Sequence, residues 1–176
     1  MVNFIDINQI EATELRNIIE LAKRLKQEAK NNIFHNYLEG KNLAMLFEKS
    51  STRTRISFEV AMNQLGGSAV VMNAADTQLG KGEPVSDTAK VFSGFVDVAM
   101  IRANLHDTIL EFANNSEIPV INALSDFSHP CQIMASIMAI EEKFGNIKGE
   151  VLTWLGDANN VLNSYIHGAV QFGYEL

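Results

Sequence analysis

The chain is poor in the residues that would cross-link it or carry it through a membrane. A single cysteine, Cys131, stands among 176 residues, which excludes an internal disulfide framework. No apolar run approaches the ~18 residues needed to cross a bilayer. The opening residues, Met1-Val2-Asn3-Phe4-Ile5-Asp6, have no basic stretch followed by an apolar core, so the expectation is no secretion signal and a cytoplasmic location. Positive charge is also scarce: 14 Lys and Arg face 21 Asp and Glu, a net charge of −7. That balance argues against broad nucleic-acid binding, which needs a positive surface. It leaves room for a small anion held by a few local arginines. His35, His106 and His167 lie at no metal-ligand spacing, and neither a metal nor a cofactor is expected. What is present is ordinary for a globular chain, 47% hydrophobic and 20% charged, and long enough for one domain plus the start of another.

The apolar residues are arranged as alternating elements. Leu15, Ile18, Ile19, Ala22, Leu25 and Ala29 recur at helical spacing, predicting an amphipathic helix over Glu11–Lys30 that stops at Asn31-Asn32. Short apolar runs then predict strands at Asn42–Phe47, Ala69–Met72, Val98–Ile101, Pro119–Asn122 and Glu150–Leu155. Between and after them the pattern predicts helices over Thr52–Leu65, Pro84–Phe95, Asp107–Asn114, Pro130–Phe144 and Asn160–Phe172. Ser86 is the expected N-cap of the second of these. Strand and helix in alternation imply an α/β fold, a parallel sheet with helices on both faces. The Gly145–Gly149 stretch reads as a linker. The expected organisation is one domain over residues 1–145 and, from 149 to 176, the first βα unit of a second α/β domain. There is no internal repeat and no low-complexity tract.

Four polar clusters interrupt the pattern, each after the carboxyl end of an expected strand, where open α/β sheets bind ligands. In Ser51-Thr52-Arg53-Thr54, with Arg55 beside it, hydroxyls and guanidinium groups gather where a strand turns into a helix. Unpaired N–H groups at the helix start and the planar arginine fork suit a phosphate. The plainer reading is a helix cap with surface arginines. Arg102 ends an apolar strand and is either an exposed strand end or an anion contact. His129, before Pro130, sits in the loop opening a helix. It either caps a backbone group or donates to a carbonyl oxygen, with Gln132 able to hold an amide. Cys131 is read as a packing residue, since sequence neighbours rarely form a nucleophilic pair. Gly156-Asp157-Ala158-Asn159-Asn160 is the fourth cluster. No glycine-rich P-loop accompanies them, which argues against a nucleoside triphosphatase.

Phe47-Glu48-Lys49-Ser50-Ser51-Thr52-Arg53-Thr54-Arg55 resembles the carbamoyl-phosphate signature of the aspartate/ornithine carbamoyltransferases, and His129-Pro130-Cys131-Gln132 is similar to their second signature. Leu79 to Glu83, Asp87 to Arg102 and Ile121 to Asp126 add to a resemblance that covers nearly the whole chain. Lys49 and the Asn159-Asn160 pair resemble the ornithine branch. The resemblance implies that Ser51, Thr52, Arg53 and Thr54 hold phosphate. Arg102 and His129, with Thr54, would polarise the carbamoyl oxygen, and Gln132 would hold the carbamoyl nitrogen. Gln78 would reach the carbamoyl phosphate of a neighbouring subunit, and Asn160 would bind ornithine. It also implies a homotrimer or a multiple of trimers, and a place in arginine biosynthesis.

The family pattern continues with Asp, Ser-Met-Gly, His-Cys-Leu-Pro and C-terminal arginine segments that this sequence does not contain. The expectation is therefore carbamoyl-phosphate binding without efficient turnover. The alternatives are transfer to aspartate or putrescine, and a non-catalytic module that binds anions or oligomerises.

Overall fold

The computed structural model describes Val2–Leu176. The chain divides into two compact units, one made of the segment up to Ile5 with Phe34–Ser125, the other of Asp6–Ile33 with Asp126–Leu176.

The first unit is a parallel four-stranded sheet in the order β2-β1-β3-β4, with β1 Asn42–Phe47, β2 Ser68–Asn73, β3 Val98–Arg102 and β4 Val120–Leu124. β1 lies between β2 and β3 and is apolar for nearly its whole length, as a strand covered on both faces must be. Its alternating side chains feed two cores. Leu43, Met45 and Phe47 pack with Met100, Ala123 and Met62 of α2 (Thr52–Gln64). Ala44 and Leu46 pack with Ala99, Ile101 and Val120 against Ala89 and Phe92 of α3 (Val85–Ser93) and Ile109 and Phe112 of α4 (His106–Asn114). Helices therefore cover both faces, as the alternation implies. The free edge of β4 is closed by the N-terminal segment: Phe4 N–H donates to Val120 O and Asn122 N–H to Phe4 O, both at 2.8 Å. The buried Asn122 side chain adds a bond from Nδ2 to Ile5 O. Edge groups left open would invite pairing with another chain.

The second unit contains α1 (Ala12–Lys30), α5 (Pro130–Phe144) and α6 (Asn160–Phe172). α1 packs on α5, and α6 packs on α5 and on the 3-10 turn Ile7–Gln9. Leu15 and Ile19 are the buried positions of α1. Glu141 of α5 is a buried carboxylate that accepts from Arg16 Nη1 at 2.7 Å and Lys23 Nζ at 2.8 Å, tying α5 to α1.

Two local expectations are corrected. The strand expected at Glu150–Leu155 is a single parallel bridge, Val151 to Glu175. Gly173–Glu175 is the segment bonded alongside it, and it supplies too few partners for a ladder. Ser86 does not cap α3. Pro84, at φ −59° and ψ 142°, takes the N-cap position without a side-chain bond, because its fixed φ leads straight into the first turn and leaves Ser86 inside it. No helix among the described residues is long and apolar enough to cross a membrane.

Candidate functional site

β1 and β3 end side by side, with Phe47 paired to Arg102. The register of β3 on β4 slips there: Ile101 faces Asn122 but Arg102 faces Leu124. Such a bulge re-aims the side chain at a strand end. The backbone of Arg102 is then fixed from β1, as Glu48 N–H donates to Arg102 O at 2.9 Å. The Glu48 carboxylate also accepts from Asn104 N–H at 2.6 Å, which joins the turn after β1 to the turn after β3.

α2 begins at this edge. Ser51 is its N-cap, in extended conformation, and Ser51 Oγ accepts from Thr54 N–H at 3.3 Å. The remaining N–H groups of the first turn have no partners within a helix and carry the positive end of its dipole. Arg102 Nη1 donates to Thr54 Oγ1 at 3.2 Å. Its Nε is buried and has no hydrogen-bond partner among the described residues. Burial holds the guanidinium below its ordinary pKa. A buried donor without an acceptor is costly and uncommon in folded proteins. Beside a helix N-terminus, this cation and its spare donor suit an oxyanion.

A cleft of about 530 Å³ opens at the ends of β1 and β2, lined by Phe47, Ser50, Ser51, Thr52, Arg55, Ile56, Val71 and Asn73. Ser51 and Thr52 thus border the cleft, while Thr54 turns to Arg102. Arg53 is exposed and joins neither group. Gln78 is exposed at the start of the 3-10 turn Leu79–Lys81, where its backbone carbonyl accepts from Lys81 and Glu83 N–H groups. The site residues assigned from sequence omitted Arg55, Ser50 and Asn73. The available signal for Arg55 and Ser50 was their place in the Ser-Thr-Arg cluster.

In the second unit, His129 occupies the N-cap position of α5, with Pro130 in the first turn. Its N–H donates to Ser164 Oγ at 2.8 Å. Gln132 is exposed and Nε2 donates to Ser136 Oγ at 3.2 Å, one turn along α5. Cys131 is half-buried, and burial pushes its thiol up to about 12. At neutral pH it is a protonated thiol, unsuited to nucleophilic work. Asn159 caps α6 by accepting from Val161 and Leu162 N–H groups, and Asn160 is the first helical residue. The sequence did not reveal Ser164 or the Arg16–Glu141–Lys23 cluster. Among the described residues, no group of three or more His, Cys, Asp or Glu side chains is placed to hold a metal ion.

A family model described as "Aspartate/ornithine carbamoyltransferase, carbamoyl-P binding domain" matches residues 2–142. The chain is 52% identical over 174 residues to a protein of Methanocorpusculum labreanum named ornithine carbamoyltransferase, covering 99% of this chain and 57% of that one. A Rhizobium johnstonii protein of the same name is 49% identical over the same shares. Among solved structures, ornithine carbamoyltransferase from Burkholderia thailandensis E264 matches with a TM-score of 0.95 at 44% identity, over 99% of this chain and 60% of that one. The Pyrococcus furiosus enzyme matches at 0.94 with 47% identity, over 97% and 55%. The chain thus spans little more than half the length of these relatives.

Proposed function

Because the chain belongs to the aspartate/ornithine carbamoyltransferase family through its carbamoyl-phosphate-binding domain, we propose that it supplies the first-substrate half of an enzyme that carbamoylates L-ornithine. The reaction transfers the carbamoyl group of carbamoyl phosphate to the δ-amine, giving L-citrulline and phosphate. The observation that carries the reading is the spare, buried Nε of Arg102 beside the start of α2. The choice of ornithine over aspartate or putrescine rests on Lys49, on the Asn159-Asn160 pair, and on the names of the relatives.

In this reading Ser51, Thr52, Arg53 and Thr54 hold the phosphate, with first-turn N–H groups of α2 adding to the field. Arg102, His129 and Thr54 draw electron density from the carbamoyl oxygen, and Gln132 holds the carbamoyl nitrogen. The neutral δ-amine attacks the carbonyl carbon. The tetrahedral oxyanion then collapses, the C–O bond to phosphate breaks, and the amine's proton passes to the departing phosphate. No covalent enzyme intermediate is needed, and catalysis is positioning plus oxyanion stabilisation. Gln78 acts on a neighbouring subunit in a trimer or a multiple of trimers. Asn160 contacts ornithine. Residues 1–145 make the carbamoyl-phosphate domain, and an ornithine-binding domain opens at 149. The setting is cytoplasmic arginine biosynthesis.

Calorimetric titration of this chain with carbamoyl phosphate tests the site. Saturable binding that Arg102→Met removes is the expected result. A folded chain that takes up no carbamoyl phosphate overturns the proposal.

A further inference from the structure

Ser164 is fully buried in α6 and uses its hydroxyl in both directions. Oγ accepts from His129 N–H at 2.8 Å and donates to Asn160 O, one turn back, at 3.2 Å. The preceding residue adds a second tether, as Asn163 Nδ2 donates to Phe127 O at 3.0 Å. Two consecutive side chains of α6 thus hold the loop Phe127–His129. Ser128, between the two tethered residues, is fully buried. His129 sits at φ −138° and ψ 69° just outside α5, and Pro130 at the helix start has no N–H to add a bond.

Resting on the reading above, we infer that Ser164 is a positioning residue that sets the backbone of His129, the residue proposed to contact the carbamoyl oxygen, and joins that setting to the first turn carrying Asn160. The chemistry requires a group that accepts from one side and donates to the other. A hydroxyl does both, and alanine does neither. Serine within a helix commonly bonds back to the carbonyl four residues earlier, so the Asn160 bond alone would be ordinary. The bond to His129 N–H is not local, since it spans 35 residues and reaches a different helix end.

The test separates position from packing by using two anions. Inorganic phosphate needs only the phosphate contacts, whereas carbamoyl phosphate also needs His129. Ser164→Ala should weaken carbamoyl phosphate about tenfold, the effect of losing one net hydrogen bond. Inorganic phosphate should stay within about twofold, since no carbonyl contact is at stake. Ser164→Cys fills the same space but is a weak acceptor, so it should show the same selective loss. Amide exchange at His129 should become faster in both variants. Equal weakening of the two anions, or wild-type selectivity in Ser164→Cys, would overturn the inference. The site reading itself fails in a different way, with a wild-type chain that binds neither anion or binds both alike.

Discussion

Arg102 closes β3 and Thr54 lies in the first turn of α2, and the two meet through a 3.2 Å hydrogen bond from Nη1 to Oγ1. The bond fixes one arm of the guanidinium and leaves Nε buried without an acceptor. Among the described residues no carboxylate pairs with this cation. The fold therefore holds a partly desolvated positive charge with one buried donor that a bound oxyanion would satisfy.

Replacing Arg102 should separate stability from binding. Arg102→Met removes the partly desolvated cation and keeps an apolar stem, so the melting temperature of the free chain should be unchanged or higher. Phosphate binding should be lost. Arg102→Lys keeps the charge but not the planar fork, and should weaken phosphate at least tenfold, or about 1.4 kcal/mol. Thermal denaturation and calorimetry on the same samples check both parts. A large fall in melting temperature for Arg102→Met would show that Arg102 is structural.

Ser51 carries two separable duties. As N-cap of α2 it accepts from Thr54 N–H, and Ser51→Ala should cost about 1 kcal/mol of stability. Ser51→Asp restores a good cap and favours the helix dipole, so stability should return. The added carboxylate would repel an anion at the same helix end. Phosphate binding should therefore fail in the more stable variant, as read by urea denaturation beside titration.

Glu141 gives a pH-dependent prediction. Burial raises its pKa, but hydrogen bonds from Arg16, Lys23 and the Ile147 N–H outweigh that and hold it below the ordinary carboxylate range. A carboxyl whose folded pKa is depressed adds stability that is present above its unfolded pKa and is lost as pH falls through the folded value. Glu141→Gln should cost about 1–2 kcal/mol at neutral pH, since the two cations it leaves are partly solvated and the amide keeps one acceptor. The gap from wild type should narrow below about pH 4, where carboxylates protonate. Lys23 has the opposite sign. Its pKa is raised by the Glu141 hydrogen bond, so its share persists until pH rises past the unfolded lysine value and is lost through the folded one. Urea midpoints from acid to alkaline pH check both limbs.

The elements that could be read from sequence are those whose local pattern and tertiary environment agree. The run Asn42–Phe47 is apolar because the strand is covered on both faces, and Leu15 and Ile19 keep helical spacing because one face of α1 is buried. Ser51 and Arg102 stood out because polar groups end apolar strands there. The roles given to the site residues are a further step. The structure places Thr54 against Arg102, leaves Arg53 exposed, and pairs Gln132 with Ser136. Glu150–Leu155 looks like a strand by composition, but strand formation depends on neighbours that composition does not specify. Glu141 and Arg16 lie 125 residues apart, and Ser164 resembles any other helical serine until its partner, 35 residues away, is known.

The last prediction concerns turnover. The groups proposed to hold carbamoyl phosphate lie within residues 51 to 132, so this chain should bind that substrate. It should make no citrulline at a useful rate. The chain covers 57% of its Methanocorpusculum labreanum relative, and the family's Asp and Ser-Met-Gly segments, which would fix the α-amino and carboxylate groups of ornithine, are not in its sequence. Asn160, the one residue here proposed to contact ornithine, would not by itself hold the δ-amine in line with the carbonyl carbon. Such positioning supplies about 7–11 kcal/mol of a bimolecular barrier, so its loss should lower the rate by several orders of magnitude. Citrulline formation should be measured from the purified chain beside a full-length relative, with carbamoyl phosphate binding as the folding control. Turnover within tenfold of the relative would show that residues up to Leu176 already complete the ornithine site, and the assignment of the second substrate to a later segment would be wrong.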